Sequence, residues 1–346
     1  MKEQTTVGFL PWWPANPYQI LLKQALNKLG LRVIGNPPLS LLRLLIGRDG
    51  LDVVHVHWPH GTYKTPLQFL HVLITLVAYR LVKNNVVWTV HELDAYESLH
   101  PRRDAWFRSV VMKLSRCLIV HGEHTRKVLI EQYGYRRPIH VVRHPSYIGW
   151  YKDEVTREQA RRKLDLPDDA RVFLYFGYIK PYKGVEDLIR AFGQLPDSNA
   201  VLYIVGKPLD VAIKHEVETL AASDPRIRTH LAYITDDEIQ YFFRAADVVV
   251  FPFRNTQTSG SLMLALSYGC PVIAPAIATL PEYVGNDSGI LFDPAKPGDL
   301  TRAITEAMHA PLAKMAVHAR QRAESLSWTD MAAVHDTVYQ NTVGHA

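Results

Sequence analysis

The chain has few of the features that define specialised protein classes. Its 346 residues include two cysteines, Cys117 and Cys270, and both lie in apolar segments without metal-ligand spacing. This excludes a disulfide scaffold and zinc sites built on cysteine, and it favours buried, reduced thiols in a cytosolic protein. The N-terminal segment lacks the apolar core and the small-residue cleavage site of a signal peptide, so we expect a cytoplasmic protein.

Long apolar runs are also missing. The longest, residues 67–82, is interrupted by Gln68, His71 and Arg80. It is shorter than the ~20 residues that a membrane-spanning helix needs. It therefore predicts a buried or half-buried helix or, alternatively, a helix that lies in the bilayer interface.

Acidic residues are scarce in the first half of the chain. Residues 1–150 contain 19 Lys and Arg against 9 Asp and Glu, a balance of +10, whereas residues 151–346 contain 20 against 25, a balance of −5. The basic half indicates an anionic partner, either a membrane surface or a phosphorylated ligand. Nucleic acid is not expected, because no nucleic-acid-binding motif accompanies the charge. The basic residues predicted to face an anionic membrane, together with residues 67–82, are Arg102, Arg103, Arg108, Lys113 and Arg116.

Short apolar runs alternate with helical patterns along nearly the whole chain. Runs such as DVVHVHW and RVFLYFG lack polar alternation, which is typical of parallel strands covered on both faces. The alternation predicts an α/β fold of two Rossmann-like, doubly wound domains that face a central cleft. We expect one domain over residues 1–150, a second over 170–325, and a helix at 326–346 that packs back on the first. The polar stretch 151–169 is the predicted linker.

Two segments of the second domain carry residues suited to binding an anion. In FGYIKPYKG a strand ends at Gly177, and Lys180 and Lys183 follow just before a helix, where positive charge favours a diphosphate. In NTQTSGSLM a hydroxyl-rich turn opens an apolar helix and forms an anion cradle at its positive end. Both segments follow strands of one domain, so we expect a two-sided clamp. Ordinary surface lysines and simple N-capping by serine are the structural alternatives.

The same segments resemble the donor domain of GT-B glycosyltransferases, and the resemblance extends to LPEYVG and to the SW pair at Ser327. In the first half, NPY, HVHWP, WTVHELDAYE and HPSY are similar to bacterial exopolysaccharide β-mannosyltransferases of the xanthan type. The resemblance implies that Lys183 binds the donor diphosphate beside Lys180, and that Gly206 and Tyr233 contact the base and ribose. The other donor-binding residues that it implies are Gly177, Thr258, Ser259, Gly260, Ser261 and Glu282.

The resemblance also implies the partners of the reaction. Mannose would pass from GDP-mannose, the co-substrate, to a polyprenyl-diphosphate-linked oligosaccharide at the anionic inner leaflet. The protein would then be cytoplasmic and peripheral on the inner face of the membrane. We expect no metal and no other cofactor, because the sequence has no DxD-like motif for a divalent ion.

One departure from the family pattern bears on stereochemistry. Many retaining members carry two glutamates before the G-x-P-V segment, and those positions are Thr256 and Leu264 in this chain. The absence of both carboxylates favours an inverting enzyme. Three alternatives stay open: a retaining transferase that uses another nucleotide sugar such as UDP-glucose, a non-catalytic sugar-nucleotide-binding scaffold, and an epimerase.

Inverting transfer needs a base that takes the proton of the attacking hydroxyl. The segment VHELDAYE follows an apolar strand and supplies candidates: Glu97 first, then Asp94 and His91. The structural alternatives are a helix-capping role for Glu97 and a core imidazole for His91.

Histidines and tryptophans of the first domain suggest further roles. His55, His57 and His60 have no carboxylate at ligand spacing, so we expect structural or substrate-orienting roles rather than a metal site. Three tryptophans after strands are predicted either to stack on acceptor sugar rings or to pack in the core. These residues are Trp12, Trp13 and Trp58.

Overall fold

The computed structural model describes residues 4–93, 100–196 and 199–344, which divide into two compact units. Unit 1 comprises the residues up to His144 together with those from Ser327 onward, and unit 2 comprises Pro145–Leu326. Each unit contains one six-stranded parallel sheet. The predicted α/β fold class is therefore confirmed.

Unit 1 has the strand order β2–β1–β3–β4–β5–β6, with every neighbouring pair parallel. Its strands are β1 (Thr6–Leu10), β2 (Arg32–Gly35), β3 (Val53–Val56), β4 (Val86–Val90), β5 (Cys117–Val120) and β6 (Ile139–Val141). Its helices are α1 (Pro17–Lys28), α2 (Leu41–Leu45), α3 (Pro66–Val82), α4 (Pro101–Leu114), α5 (Glu123–Glu131) and α14 (Trp328–Val343), with a short 3-10 helix at Pro59–Thr62.

Unit 2 has the strand order β12–β11–β10–β7–β8–β9, again parallel throughout. Its strands are β7 (Arg171–Phe176), β8 (Ala200–Val205), β9 (Ile227–His230), β10 (Val248–Val250), β11 (Val272–Pro275) and β12 (Gly289–Phe292). Its helices are α6 (Arg157–Lys163), α7 (Val185–Gly193), α8 (Val211–Ala221), α9 (Ile239–Ala245), α10 (Gly260–Ser267), α11 (Leu280–Val284), α12 (Asp299–His309) and α13 (Leu312–Glu324), with a 3-10 helix at Pro181–Lys183.

Alternate residues of the unit 1 strands enter two different apolar clusters. On one face Val54 packs in a cluster with Leu76 of α3 and Phe107 of α4. On the other face Val53 packs in a cluster with Leu22 of α1 and Tyr339 of α14. Because both faces are covered, the strands need apolar side chains at every position, which explains the continuous Val and Ile runs.

The stretch predicted as a linker is instead folded into unit 2. Its helix α6 begins with a reciprocal capping box between Thr156 and Gln159. On this helix Arg161 is 1% exposed, donates to several backbone carbonyl oxygens and pairs with Asp247 at 2.9 Å. Arg161 therefore anchors α6 to unit 2, while the other charged residues of the stretch are mostly exposed.

The apolar run of residues 67–82 forms α3, as predicted. Of the helices in the described part of the chain, none has both the length and the apolar character needed to cross a bilayer. Arg108 on α4, predicted to face a membrane, is instead buried. Helical spacing explains this correction, because Asp104, Arg108 and Val111 share the face of α4 that is turned into unit 1.

Candidate functional site

The strand order of unit 2 reverses between β7 and β10. The chain proceeds from β7 outward to β8 and β9, then returns to β10 and continues outward through β11 and β12 on the other side. The loops after β7 and β10 therefore leave the sheet on opposite sides and open a crevice at its carboxyl edge. Both anion-binding segments predicted from the sequence begin at this edge.

Two glycines allow the loops after β7 and β8 to touch. A Cβ atom on Gly206 would lie 1.8 Å from the carbonyl oxygen of Gly177, and one on Gly177 would lie 3.2 Å from Oγ of Ser261. Both glycines also have positive φ, +148° and +143°, which disfavours a side chain at either position. The structure thus brings together the predicted residues Gly177, Gly206 and Ser261.

The loop after β7 carries Lys180 and Lys183, and we call it the lysine loop. It is held against the segment that follows β10. Gly184 has φ +65°, and a Cβ atom there would lie 2.2 Å from the carbonyl oxygen of Pro252. The Nζ atom of Lys183 lies 3.8 Å from the centre of the Phe253 ring, a cation–π contact. The ammonium group of Lys183 is therefore placed beside the segment that leads to α10.

These loops enclose a cavity of about 150 Å³. Lys180 and Lys183 bring two positive charges to it, and Ser261 brings a hydroxyl from the first turn of α10. The two predicted segments therefore contribute to one cavity. Its lining residues are Tyr175, Phe176, Gly177, Tyr178, Lys180, Tyr182, Lys183, Phe253 and Ser261.

The hydroxyl-rich turn is the N-terminus of α10. Ser259 is the N-cap, and its Oγ accepts from the N–H of Leu262 at 3.2 Å. This is the capping role that the sequence left as an alternative. It does not consume the N–H groups of Gly260 and Ser261, which lie too early in the helix to have an intrahelical carbonyl partner. The positive end of α10 is thus presented at the cavity edge.

The turn before α10 is fixed by threonine hydroxyls. The hydroxyl of Thr256 donates to the carbonyl oxygen of Thr258 at 2.9 Å, and that of Thr279 donates to the carbonyl oxygen of Gln257 at 2.5 Å. Thr256 is buried, as is Leu264 of α10. The two positions where many retaining relatives have glutamate therefore hold a structural hydroxyl and a core side chain.

Other predicted donor residues lie at the same sheet edge but outside the lining of this cavity. Tyr233 follows β9 and is 64% exposed. Glu282 lies in the first turn of α11 and is partly exposed. Roles for these side chains stay predictions.

Sequence reasoning missed Arg254, which follows β10. Its guanidinium donates to the carbonyl oxygen of Pro181 at 2.8 Å and pairs with Asp187 at 2.7 Å and Glu186 at 3.2 Å. The backbone N–H of Arg254 donates to the carbonyl oxygen of Tyr182 at 2.9 Å. Arg254 therefore ties the lysine loop to the strand end. A charged residue directly after the apolar run DVVVFPF was the available signal.

In unit 1, three aromatic rings form a stack at the carboxyl edge. The ring centres of Trp13 and Trp58 are 4.5 Å apart, and those of Trp58 and His91 are 4.0 Å apart with an interplanar angle of 12°. Both faces of Trp58 are thus covered. Trp13, which is 37% exposed, ends the stack.

Trp12 has a different environment from Trp13. A Cβ atom on Gly35 would lie 2.3 Å from Cγ of Trp12, so this ring packs directly on the backbone of β2. The Nζ atom of Lys23 lies 5.1 Å from the ring centre of Trp12. Of the three tryptophans predicted to stack on an acceptor sugar, Trp13 has the geometry that fits best.

Tyr18 of α1 lies at the centre of a cluster of rings below this stack. Its ring centre is 4.9 Å from that of His91, 5.5 Å from that of His121 and 5.2 Å from that of His144. No local sequence pattern marks this cluster, because its histidines follow separate strands and Tyr18 lies at the start of α1.

Burial lowers the pKa values of several histidines in unit 1, which favours their neutral form. His55 is fully buried and hydrogen-bonds to Tyr339 at 2.6 Å and to Thr89 at 2.7 Å, which confirms the structural interpretation of this residue. Burial lowers the pKa of His121 and that of His335 to about 4. Burial, and then repulsion from neighbouring imidazoles, also lowers the pKa values of three further histidines of unit 1. These are His55, His57 and His91.

His91 is the candidate base that the structure describes. Its Nε2 lies 3.1 Å from Nδ1 of His57. A lowered pKa keeps His91 neutral and makes it a weak proton acceptor at neutral pH, so its position suits orientation of a hydroxyl better than proton removal. Asp94 and Glu97 lie outside the described residues.

Within residues 4–93, 100–196 and 199–344, no group of three or more His, Cys, Asp or Glu side chains is arranged to hold a metal ion. His60 instead lies 3.3 Å from the Glu92 carboxylate. Metal independence stays a prediction.

Comparison with known proteins places these sites in context. Residues 156–326 match the family glycosyl transferases group 1. A GDP-mannose:glycolipid 4-beta-D-mannosyltransferase from Xanthomonas campestris pv. campestris is 29% identical over 318 residues, covering 88% of this chain and 83% of that protein.

Solved structures share the fold. A sucrose-phosphate synthase from Thermosynechococcus elongatus superposes with a TM-score of 0.78 at 17% identity, covering 99% of this chain and 100% of that one. Anabaena HepE in complex with UDP superposes with a TM-score of 0.75 at 16% identity, covering 97% of this chain and 99% of that one. At these identities the likeness identifies the GT-B fold and nothing finer.

The contact between Gly206 and the carbonyl oxygen of Gly177 can be tested by adding one methyl group to Gly206. Gly206→Ala should push apart the loops after β7 and β8, destabilising unit 2 by about 1–3 kcal/mol. The thermal midpoint should fall, as measured by differential scanning calorimetry. Gly193→Ala is the matched control, because its added methyl meets nothing within 4 Å and lies in α7. An equal fall in both variants would contradict the steric argument.

Buried neutral histidines make the stability of unit 1 depend on pH. Their folded-state pKa values lie below the value of about 6.5 in an unfolded chain, so the unfolded state binds more protons as the pH falls. The free energy of unfolding should be fully retained above pH 6.5 and decrease as the pH falls from about 6.5 towards 4. Thermal midpoints measured across this range should show the decrease.

One substitution should reduce this dependence. His335→Leu removes a buried imidazole whose pKa is about 4, so it should lessen the fall in midpoint between pH 6.5 and 4. His215→Leu, at an exposed position on α8, should leave the dependence unchanged. A midpoint that is constant over this range in the unmodified protein would contradict the assignment.

Proposed function

The chain is a glycosyltransferase with a group 1 domain in its second half, and from that premise we propose that it transfers mannose from GDP-mannose to a polyprenyl-diphosphate-linked oligosaccharide. The observation that carries the proposal is the cavity where Lys180, Lys183 and Ser261 converge beside the start of α10. Two ammonium groups and a helix N-terminus suit a diphosphate. The mannosyltransferase named above, similar over most of its length, supports the choice of donor and acceptor.

The leaving group determines what unit 2 must do. When the bond between the anomeric carbon and the diphosphate breaks, GDP departs with the bonding electron pair and gains negative charge. Lys183 and Lys180 neutralise that charge, and the N–H groups of Gly260 and Ser261 donate to the distal phosphate. Arg254 holds the lysine loop in place and acts as a positioning residue.

The acceptor hydroxyl forms the new bond to the anomeric carbon on the side opposite GDP. Its proton passes to a base, for which we propose Glu97 or, next, Asp94. His91 orients the hydroxyl, and Trp13 offers a ring face to the acceptor sugar. The absence of carboxylates at Thr256 and Leu264 supports an inverting route over a retaining one.

The proposed acceptor is a membrane lipid, so we place the protein in the cytoplasm, peripheral on the inner face of the membrane. The basic balance of residues 1–150 supports this location. The role in exopolysaccharide synthesis follows from the proposed acceptor.

Donor choice is the first test. Because a ligand that binds the native state raises its stability, GDP and GDP-mannose should raise the thermal midpoint, whereas UDP and UDP-glucose should not. Lys183→Ala should abolish this stabilisation and lower kcat/KM for mannosyl transfer by about 100-fold or more. Lys314→Ala, at an exposed position on α13, is the control and should match the unmodified protein.

The product gives the second part of the test. With a polyprenyl-diphosphate oligosaccharide as acceptor, nuclear magnetic resonance of the new linkage should show a β-mannoside. An α-linked product would favour the retaining alternative. Stabilisation by uridine nucleotides alone would replace the proposed donor with another nucleotide sugar.

A further inference from the structure

Helix α3 is apolar on the face that its own unit does not cover. Its inner face packs Val72, Leu76 and Tyr79 in the core of unit 1. On the opposite face, exposed apolar residues recur at helical spacing: Leu67 is 77% exposed, Leu70 50%, Ile74 46% and Leu81 79%. A helix that is apolar all round normally has a partner on both sides.

Helix α2 extends this surface. It packs beside α3, and the Nε2 atom of His71 lies 2.8 Å from the carbonyl oxygen of Leu39, just before α2. On and just after α2, Leu42, Leu45 and Ile46 are exposed by more than half. We call the exposed apolar side chains of these two helices the α2–α3 face.

An aromatic residue borders the α2–α3 face. Trp106 of α4 is 52% exposed, and its ring centre lies 6.0 Å from that of Phe69 on α3. Tryptophan is enriched where an apolar surface meets the headgroup region of a bilayer. The border is therefore typical of a surface that enters the membrane interface.

Basic residues outnumber acidic ones in the segment that carries the α2–α3 face. Residues 4–91 contain eight Lys and Arg but only two carboxylates, Asp49 and Asp52. Asp49 is neutralised by Lys83 at 2.8 Å, and Asp52 accepts from the N–H of Thr6 at 2.7 Å. No acidic group of this segment therefore opposes a negatively charged surface.

We infer that the α2–α3 face docks on an anionic phospholipid bilayer, with its leucines in the interface and Arg43, Arg48 and Lys64 at the headgroups. An apolar stripe without carboxylates suits an anionic bilayer better than a second copy of this chain, because two copies would bring like charges together. The inference rests on the proposed lipid-linked acceptor, and it assigns the membrane contact to α2 and α3.

This docking would place the carboxyl edge of the unit 1 sheet, with its aromatic stack, near the lipid. The 3-10 helix Pro59–Thr62 directly follows Trp58, and α3 begins at Pro66. Between them Tyr63 is anchored by a hydrogen bond from its hydroxyl to Asp104 at 2.5 Å. The aromatic stack and the α2–α3 face are thus joined by a short, anchored segment, which suits a sugar carried on a membrane lipid.

The test uses the full chain and vesicles of phosphatidylcholine with or without phosphatidylglycerol. The unmodified protein should sediment with the anionic vesicles, less so as salt rises, and only weakly with the neutral ones. Leu70→Glu combined with Ile74→Glu should reduce this binding by about tenfold or more, because it puts two carboxylates into the interface. Val211→Glu combined with Val317→Glu changes two exposed residues of unit 2 and should leave binding intact.

Several outcomes would overturn the inference. These are no sedimentation of the unmodified protein with anionic vesicles, unchanged binding by the Leu70/Ile74 variant, or light scattering that shows a dimer which this variant converts to a monomer. The last result would show that the α2–α3 face is a contact between two copies of this chain.

Stabilisation by GDP-mannose, measured without vesicles, separates the two proposals. If the Leu70/Ile74 variant loses vesicle binding but keeps the stabilisation, the docking inference is supported and the donor assignment is untouched. If the unmodified protein binds anionic vesicles through this face but is not stabilised by GDP-mannose, the donor assignment fails while the membrane contact stands.

Discussion

Backbone contact between neighbouring loops at one sheet edge shapes the cavity of unit 2. Gly206 approaches the carbonyl oxygen of Gly177, and Gly184 approaches that of Pro252, at distances that leave no room for a side chain. These contacts bring the loops after β7, β8 and β10 close enough for lysines from one and the start of α10 from another to line the same space. The charge distribution of the cavity thus depends on the absence of a methyl group at Gly206 and at Gly184.

The sheets could be predicted from the sequence because parallel strands buried on both faces leave short continuous apolar runs, and the runs DVVHVHW and RVFLYFG contain β3 and β7. The two anion-binding segments were predictable because polar residues directly after buried strands meet at one edge. The linker prediction was wrong, since a pattern of charges does not reveal that Arg161 is buried against Asp247. Arg254 and Tyr18 were missed because their importance comes from contacts between distant parts of the chain.

In unit 1, the surroundings of the predicted residues determine which roles those residues can take. The sequence left sugar stacking and core packing open for three tryptophans, and Trp58 stacks on both Trp13 and His91. Likewise His91 lies at the expected sheet edge, yet burial, and then repulsion from neighbouring imidazoles, lowers its pKa and favours the neutral form. Stacking and desolvation are collective properties, and a single sequence does not encode them as a local pattern.

The placement of α14 has a consequence for how the protein is made. The hydroxyl of Tyr339 on this last helix contacts His55 in the centre of unit 1, so the core of that unit needs residues from both ends of the chain. A ribosome delivers the first end early and the other only after all of unit 2 has been synthesised. Unit 2, which is continuous in sequence, can complete its core before α14 has been synthesised, whereas unit 1 can do so only afterwards.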